Sequence, residues 1–153
     1  VYLNRREAFW MKAYREQVDD PEYKVFSFKS PIEADYCYCL INSSLFWWYW
    51  ISVSDCWHVS KDLNGFMMPM KVNMTGATEL AQGLRQRLEE TKVYVGTKQT
   101  QYEYKHRECL EEIRAIDDFI NAAYGLTEAE SNYIKNFAIR YRTSGGIDAD
   151  ENN

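Results

Sequence analysis

An α+β fold, predominantly helical with a few short strands forming a small sheet against a long buried aromatic helix, is predicted by three features of this chain. The first is "SPIEADYCYCLINSSLFWWYWISVSD", residues 30–55, which opens on a helix-start signal and carries five consecutive aromatics, Phe46 to Trp50. The second is a pair of later stretches, 75–91 and 107–124, with apolar residues at three- and four-residue spacing. The third is a set of brief alternating segments such as "YKVFSF", 23–28, enough for a small sheet and no more. With 153 residues, 46% of them hydrophobic and 16% aromatic, the chain has the size of one domain with a real core. Residues 1–142 read as that domain, and "TSGGIDADENN", 143–153, as a disordered acidic tail.

Taken in order, residues 5–17 have Phe9, Trp10, Ala13 and Tyr14 on one side and predict a short amphipathic helix, stopped by "DDPE" at 19–22. Residues 23–28 predict a strand. Ser30, Pro31 and Glu33 make a capping box with proline at the first helical position. The helix they open is expected to run from Pro31 to about Ser54, roughly 36 Å at 1.5 Å per residue. Cys37, Leu40, Ile41, Ser44, Trp48 and Ile51 lie on one side of it, with Tyr38, Leu45, Tyr49 and Val53 opposite. A helix apolar all round is buried on several sides or sits in lipid. Five aromatics at about 150–250 Å² each represent on the order of 20–30 kcal/mol of burial as an upper bound.

Lipid is the weaker reading. The apolar run proper, Leu40 to Val53, includes Asn42, Ser43 and Ser44 and falls short of the ~20 residues a span requires. Asp35 and Asp55 bracket it, and no Lys/Arg cluster marks one flank. Residues 57–72 predict a loop and a short extended piece, Phe66 to Pro69. Residues 75–91 predict a helix with Leu80, Leu84 and Leu88 inward. Residues 92–106 fit a hairpin or an ordered loop equally well. From Arg107 to Tyr124 a helix places Leu110, Ile113, Ile116, Ile120 and Ala123 on one face, ended by Gly125. Thr127 and Glu130 form a second capping box, opening a last helix with Tyr133, Ile134, Phe137 and Tyr141 as its stripe.

Composition narrows function. The net charge of −5 is unlike that of a domain that holds nucleic acid by its own field, although Asp148, Asp150 and Glu151 in the tail account for three of those charges. Lys92, Lys98, Lys105 and Arg107 cluster around 92–107, and Arg140 and Arg142 lie near the end. Cys37, Cys39, Cys56 and Cys109 have no metal spacing: Cys37 and Cys39 stand about 200° apart on a helix. Reduced thiols in a cytoplasmic protein are expected. Val1 starts without Met and leads at once into charged sequence, so no signal peptide is expected; the start suggests a piece of a longer protein, or processing. No hydrolase, nucleotide-loop or zinc-protease motif occurs. Asp117–Asp118 and Glu111–Glu112 read as solvated faces, and His106, in a charged run, as exposed. His58 admits two readings. It is a helix-end histidine beside a core Trp57, or it belongs to a ligand-facing edge with Lys61 on a phosphate, Trp57 stacking and His58 donating a hydrogen bond.

Two stretches carry a family resemblance. "LINSSLFWWYWISVSDCWHVSKDLNGFMMP", 40–69, resembles the C-terminal target-recognition region of adenine-N6 DNA methyltransferases, including TaqI-like specificity domains and fused type II restriction–modification enzymes. An Asn-Ser-Ser-Leu-Phe core, Asn42 to Phe46, leads through aromatics to Ser54, Asp55, Trp57 and His58, and then to Phe66–Pro69. "IRAIDDFINAAYGLTEAESNYIKNFAIRYR", 113–142, is similar to that family's closing segment at Ile116–Asp117, Tyr124–Thr127 and Ile139–Arg142.

The resemblance implies a division of labour. An upstream domain would bind S-adenosylmethionine and hold the flipped adenine, so this fragment would carry no cofactor, no metal and no catalytic residue. It would help choose the sequence on double-stranded DNA, with no membrane contact and with or without a fused endonuclease. Ser54, Asp55, Trp57, His58, Lys61, Arg140 and Arg142 become the DNA-contact candidates, and the aromatic helix becomes scaffold. The competing expectation is a helical protein–protein interaction domain with no DNA contact.

Overall fold

The structure, a computed structural model, describes residues 1–59, 66, 72–97 and 101–144. The predicted strand at Phe66–Pro69, apart from Phe66 itself, and residues 145–153 of the predicted tail lie outside the described residues. The described elements make an α+β fold of six α-helices and two small antiparallel sheets. Strands β1 (Tyr2–Asn4), β2 (Ala13–Tyr14) and β3 (Tyr23–Val25) form one sheet in the order β2-β1-β3, with Leu3 opposite Ala13 and Lys24. Helices α1 (Pro31–Asn42), α2 (Ser44–Val53) and α3 (Ala77–Thr91) follow. The hairpin β4 (Val93–Tyr94) and β5 (Tyr102–Glu103) comes next, then a 3-10 turn at His106–Cys109 and helices α4 (Leu110–Ala123), α5 (Glu128–Asn136) and α6 (Ile139–Thr143).

Helix α1 is the hub, packing on α3, α4, α2 and β2. It starts as predicted: Ser30 Oγ accepts the Glu33 amide, and the Glu33 carboxylate accepts the Ser30 amide. Its neighbours supply stripes at helical spacing. These are Ala77, Ala81, Leu84 and Leu88 from α3, and Ile113, Ile116 and Ile120 from α4. Among the described residues no helix is long and apolar enough to cross a membrane.

The predicted continuous helix from Pro31 to Ser54 is in fact two helices. Ser43 takes an extended conformation (φ −74°, ψ 154°), ending α1 and capping α2. Its hydroxyl donates to the Leu40 carbonyl (2.7 Å) and accepts the Phe46 amide (3.2 Å), so one short side chain satisfies a group at each helix end. Asn42 spans to β2, exchanging bonds with the Ala13 amide (3.3 Å) and carbonyl (3.2 Å), and Ser44 gives its amide to Asp117 (2.7 Å). The Asn42-Ser43-Ser44 triplet is thus a polar joint inside the apolar run. Beyond it Phe46, Trp47 and Trp50 are buried and Trp48 and Tyr49 half-buried.

Residues 5–17, predicted as a helix, are not helical. Tertiary pairing overrides their propensity: the Arg5 carbonyl accepts the Val59 amide (2.8 Å), Arg6 bridges to His58, and Glu7 turns the chain by accepting the Lys12 amide (2.8 Å). The last predicted helix is also divided, with Phe137 and Ala138 (φ +53°) between α5 and α6. Of its predicted stripe Ile134 is buried, Phe137 is half-buried, and Tyr133 and Tyr141 are exposed. The segment 92–106 resolves as a hairpin where it is described.

The α4–α5 corner follows its sequence signals closely. Gly125 (φ +70°) gives its amide to the Ala122 carbonyl (3.0 Å), Leu126 gives its own to Asn121 (3.1 Å), and Thr127 and Glu130 form a reciprocal cap. A Cβ at Gly125 would meet nothing within 4 Å, so its role is purely conformational. Gly125→Ala is expected to cost about 1 kcal/mol, read as a lower urea midpoint with unchanged slope. A neutral or stabilising result would show that the corner tolerates a side chain.

Candidate functional site

The chain leaving α2 turns sharply, and side chains hold the turn. Ser54 caps α2, its amide on the Trp50 carbonyl (3.0 Å), and its hydroxyl accepts the Cys56 amide (3.1 Å). Cys56 sits at φ +59°, a conformation costly for a side-chain-bearing residue. Asp55 Oδ1 accepts both the Trp57 amide (3.0 Å) and the His58 amide (2.9 Å), and Oδ2 lies 3.6 Å from His58 Nδ1. These amide donors, with His58 adding its own share, hold the exposed Asp55 carboxyl below the usual carboxylate range.

The backbone of this turn is anchored inward. Trp50 Nε1 donates to the His58 carbonyl (3.3 Å), the Glu7 amide to the Trp57 carbonyl (3.4 Å), and Val59 is buried. The side chains point the other way. Trp57 is 63% exposed and the His58 side chain 55% exposed, their rings edge to face at 6.3 Å. An indole this exposed does no work for the core, so the core-plug reading of Trp57 fails. Arg5 and Arg6 are exposed on the segment paired with the turn, Arg6 standing 3.6 Å from Glu22. The arrangement offers an exposed aromatic face, an imidazole and nearby guanidinium charge on a backbone held in place.

Of the sequence candidates, Ser54, Asp55, Trp57 and His58 come together in this turn, and Lys61 lies outside the described residues. Arg140 is exposed on α6, with no ion-pair partner among the described residues. Arg142 must be reassigned. It is 3% exposed, its guanidinium lies between the rings of Trp10 (4.0 Å) and Trp47 (4.1 Å), and it donates to the Phe9 carbonyl (2.8 Å) and to Ser44 Oγ (3.3 Å). A guanidinium so enclosed cannot reach a phosphate; α6 turns it inward because Ala138 redirects the chain. The basic cluster near 92–107 is likewise spoken for where described: Lys92 pairs with Glu89, Lys105 with Glu103 (2.7 Å) and Arg107 with Glu108 (3.3 Å).

Two polar residues expected at the surface are buried. His106 is 2% exposed, and burial pushes its pKa down to about 3, Lys12 adding to the shift and the Tyr104 carbonyl opposing it. Asp117 is 1% exposed on the inner face of α4, and burial raises its carboxyl above the ordinary value despite the Ser44 amide. One signal for Asp117 stood in the sequence: it lies on the same helical face as Ile113, Ile116 and Ile120. All four cysteines are free thiols, and burial raises Cys37 to about 11 and Cys39 to about 12. No family model, curated protein or solved structure matches this chain.

Proposed function

We propose that this chain is the DNA sequence-recognition module of an S-adenosylmethionine-dependent adenine-N6 DNA methyltransferase, with the 54–59 turn as its DNA-facing element. The observation that carries the reading is the turn itself. Its backbone bonds are satisfied inward while Trp57 and His58 project outward without a packing role. Recognition gains from such a pre-organised backbone, because ordering the loop in the complex would otherwise cost affinity. Trp57 would pack on a base step or sugar, His58 would hydrogen-bond a base edge or phosphate, and Arg5 and Arg6 would meet the backbone. The net charge of −5 assigns most of the phosphate grip to the upstream domain, where S-adenosylmethionine and the methyl-transfer chemistry would also reside.

The test uses the full methyltransferase. Trp57→Ala and His58→Ala alter exposed side chains, so stability is expected to stay within about 0.5 kcal/mol of wild type. Each is expected to weaken cognate DNA binding by roughly tenfold, or to relax the methylated sequence at one position. Arg6→Ala is expected to weaken binding to all sequences and to lower the salt slope by about 1. Unaltered affinity together with an unaltered methylation map in the first two variants sinks the assignment.

A second reading has its own observation. An apolar groove of about 420 Å³ lies between α2 and α5, lined by Leu45, Trp48, Leu126, Ala129, Tyr133 and Ile134. If the chain is an interaction domain instead, Ala129→Glu would abolish a protein complex, while Trp57→Ala would leave DNA methylation untouched.

A further inference from the structure

The loop that joins β1 to β2, residues 5–12, is pinned from behind at both ends. At its start the Arg5 carbonyl accepts the Val59 amide (2.8 Å) and the Glu7 amide donates to the Trp57 carbonyl (3.4 Å). Further along, the Ala8 carbonyl accepts the Trp47 indole N–H (2.8 Å) and the Phe9 carbonyl the Arg142 guanidinium (2.8 Å), while Trp10 Nε1 donates to the Arg142 carbonyl (3.1 Å). One loop therefore fixes the 54–59 turn at one end and α6 at the other. Its outward side is exposed at Arg5, Arg6 and Ala8 and half-buried at Phe9 and Lys12.

Past Arg5 and Arg6, the loop carries one more charge. A small cavity lies where the loop meets residues 103–107 and α6, with Phe9, Lys12 and Tyr141 among its lining residues. Lys12, Lys105, Arg107 and Arg142 line it against one carboxylate, Glu103, which Lys105 already holds at 2.7 Å. Arg107 is taken by Glu108 (3.3 Å), and Arg142 is enclosed by two indoles. Lys12 differs from these. Its ammonium has no ion-pair or hydrogen-bond partner among the described residues, and it is not one of the polar atoms sealed from solvent. Tyr141, across the cavity mouth, is 66% exposed, and its side chain makes no hydrogen bond or ring contact among the described residues. In a chain of net charge −5, an unpaired ammonium backed by further cations and flanked by an exposed phenol marks a local site of anion attraction.

We propose that the DNA-facing surface continues from the 54–59 turn along this loop to α6, where Lys12 and the Tyr141 hydroxyl hold one phosphate of the duplex backbone. The proposal rests on DNA as the partner of the turn and adds the phosphate seat that the turn lacks. A phosphate oxygen would accept from the Lys12 ammonium and from the Tyr141 hydroxyl, with the positive field of Lys105, Arg107 and Arg142 behind them. Because the loop backbone is fixed to both the turn and α6, this contact sets how Trp57 and His58 lie against the duplex. It carries no sequence information of its own.

Anisotropy titrations of the full-length protein with a labelled duplex of arbitrary sequence, repeated across a range of salt, test the seat. Lys12→Gln is expected to lower the slope of log affinity on log salt by about 1, with the melting temperature unchanged. Tyr141→Phe is expected to weaken binding about fivefold, the worth of one hydrogen bond, with the slope unchanged because no charge is lost. Lys29→Gln makes the same charge change at an exposed position before α1, outside the cavity, and is expected to leave affinity and slope alone. Both Lys12→Gln and Tyr141→Phe are expected to keep the methylated sequence. If Trp57→Ala leaves affinity and methylation map unaltered while Lys12→Gln still lowers the slope, the turn loses its assignment and the seat stands. If Trp57→Ala changes the map while Lys12→Gln and Tyr141→Phe bind as wild type does, the seat alone is overturned. Equal slope losses in Lys12→Gln and Lys29→Gln also overturn it, reducing it to diffuse attraction, and no duplex binding at all overturns both.

Discussion

Arg142→Ala is expected to destabilise the fold by about 3–5 kcal/mol, a large share of the ~5–15 kcal/mol that holds a domain of this size. Three losses combine. The guanidinium leaves a desolvated position between the Trp10 and Trp47 rings, 4.0 and 4.1 Å from their centroids. The Phe9 carbonyl and Ser44 hydroxyl lose a charged donor. Asp117, buried on α4, loses the cation whose field opposes its neutralisation.

Neither ion gains on balance from its burial. Burial lowers Arg142 to about 10 against the attraction of Asp117, and burial raises Asp117 against the attraction of Arg142. Desolvation therefore exceeds the mutual attraction, which Ser44 mediates by giving its amide to Asp117 (2.7 Å) while its hydroxyl oxygen accepts from Arg142 (3.3 Å). Breaking one side of such a pair is costly, whereas replacing both is mild. Arg142→Met combined with Asp117→Asn is accordingly expected to cost less than the two single changes summed, with about 1–3 kcal/mol of coupling. Arg140→Ala, two residues earlier on the exposed face, is expected to stay within about 0.5 kcal/mol. Urea midpoints at neutral pH read all of these variants. A loss below about 1 kcal/mol for Arg142→Ala would remove the guanidinium from the core's account.

Acid sensitivity through His106 is the second large effect. The folded chain keeps this imidazole neutral down to about pH 3, whereas the unfolded chain takes up a proton near pH 6.5. Below about 6.5 the unfolded state therefore binds more protons, and stability falls as pH falls, by up to about 1.4 kcal/mol per unit. Over the whole window down to pH 3 this amounts to about 5 kcal/mol as an upper bound. Between pH 6.5 and 5, above the range where most carboxylates titrate, it is about 2 kcal/mol. Asp117 acts in the opposite sense, because its raised folded value lets the folded state take up a proton first. Comparison with His106→Phe isolates the imidazole. An aromatic ring keeps the edge contact with Tyr14 at 6.0 Å and carries no titrating nitrogen, so the slope between pH 6.5 and 5 is expected to flatten by about 1 kcal/mol per unit. Identical slopes in the two proteins would show that His106 is protonated in the fold.

What was legible in the sequence was whatever short-range chemistry decides. The capping boxes at Ser30 and Thr127, the glycine stop at Gly125 and the leucine spacing of α3 each involve residues within one or two turns of each other. The turn at Ser54–His58 belongs here too, because Asp55 holds amides two and three residues ahead. By contrast, residues 5–17 have helical amphipathicity, yet pair with 57–59 across some fifty residues of chain. Burial of charge followed the same rule: nothing local distinguishes Arg142 from Arg140, or His106 from its charged neighbours.

The sequence by itself determined the capped helix starts at Ser30 and Thr127, the stop at Gly125, the α+β class and the polar turn that follows the aromatic run, because capping, φ preference and periodicity act between near neighbours. Tertiary structure alone decided that residues 5–7 pair with 57–59 instead of forming a helix, that Arg142 goes inside with His106, and that Trp57 stays outside. Those outcomes depend on which distant surfaces remove a group from water and which distant donors and acceptors then satisfy it.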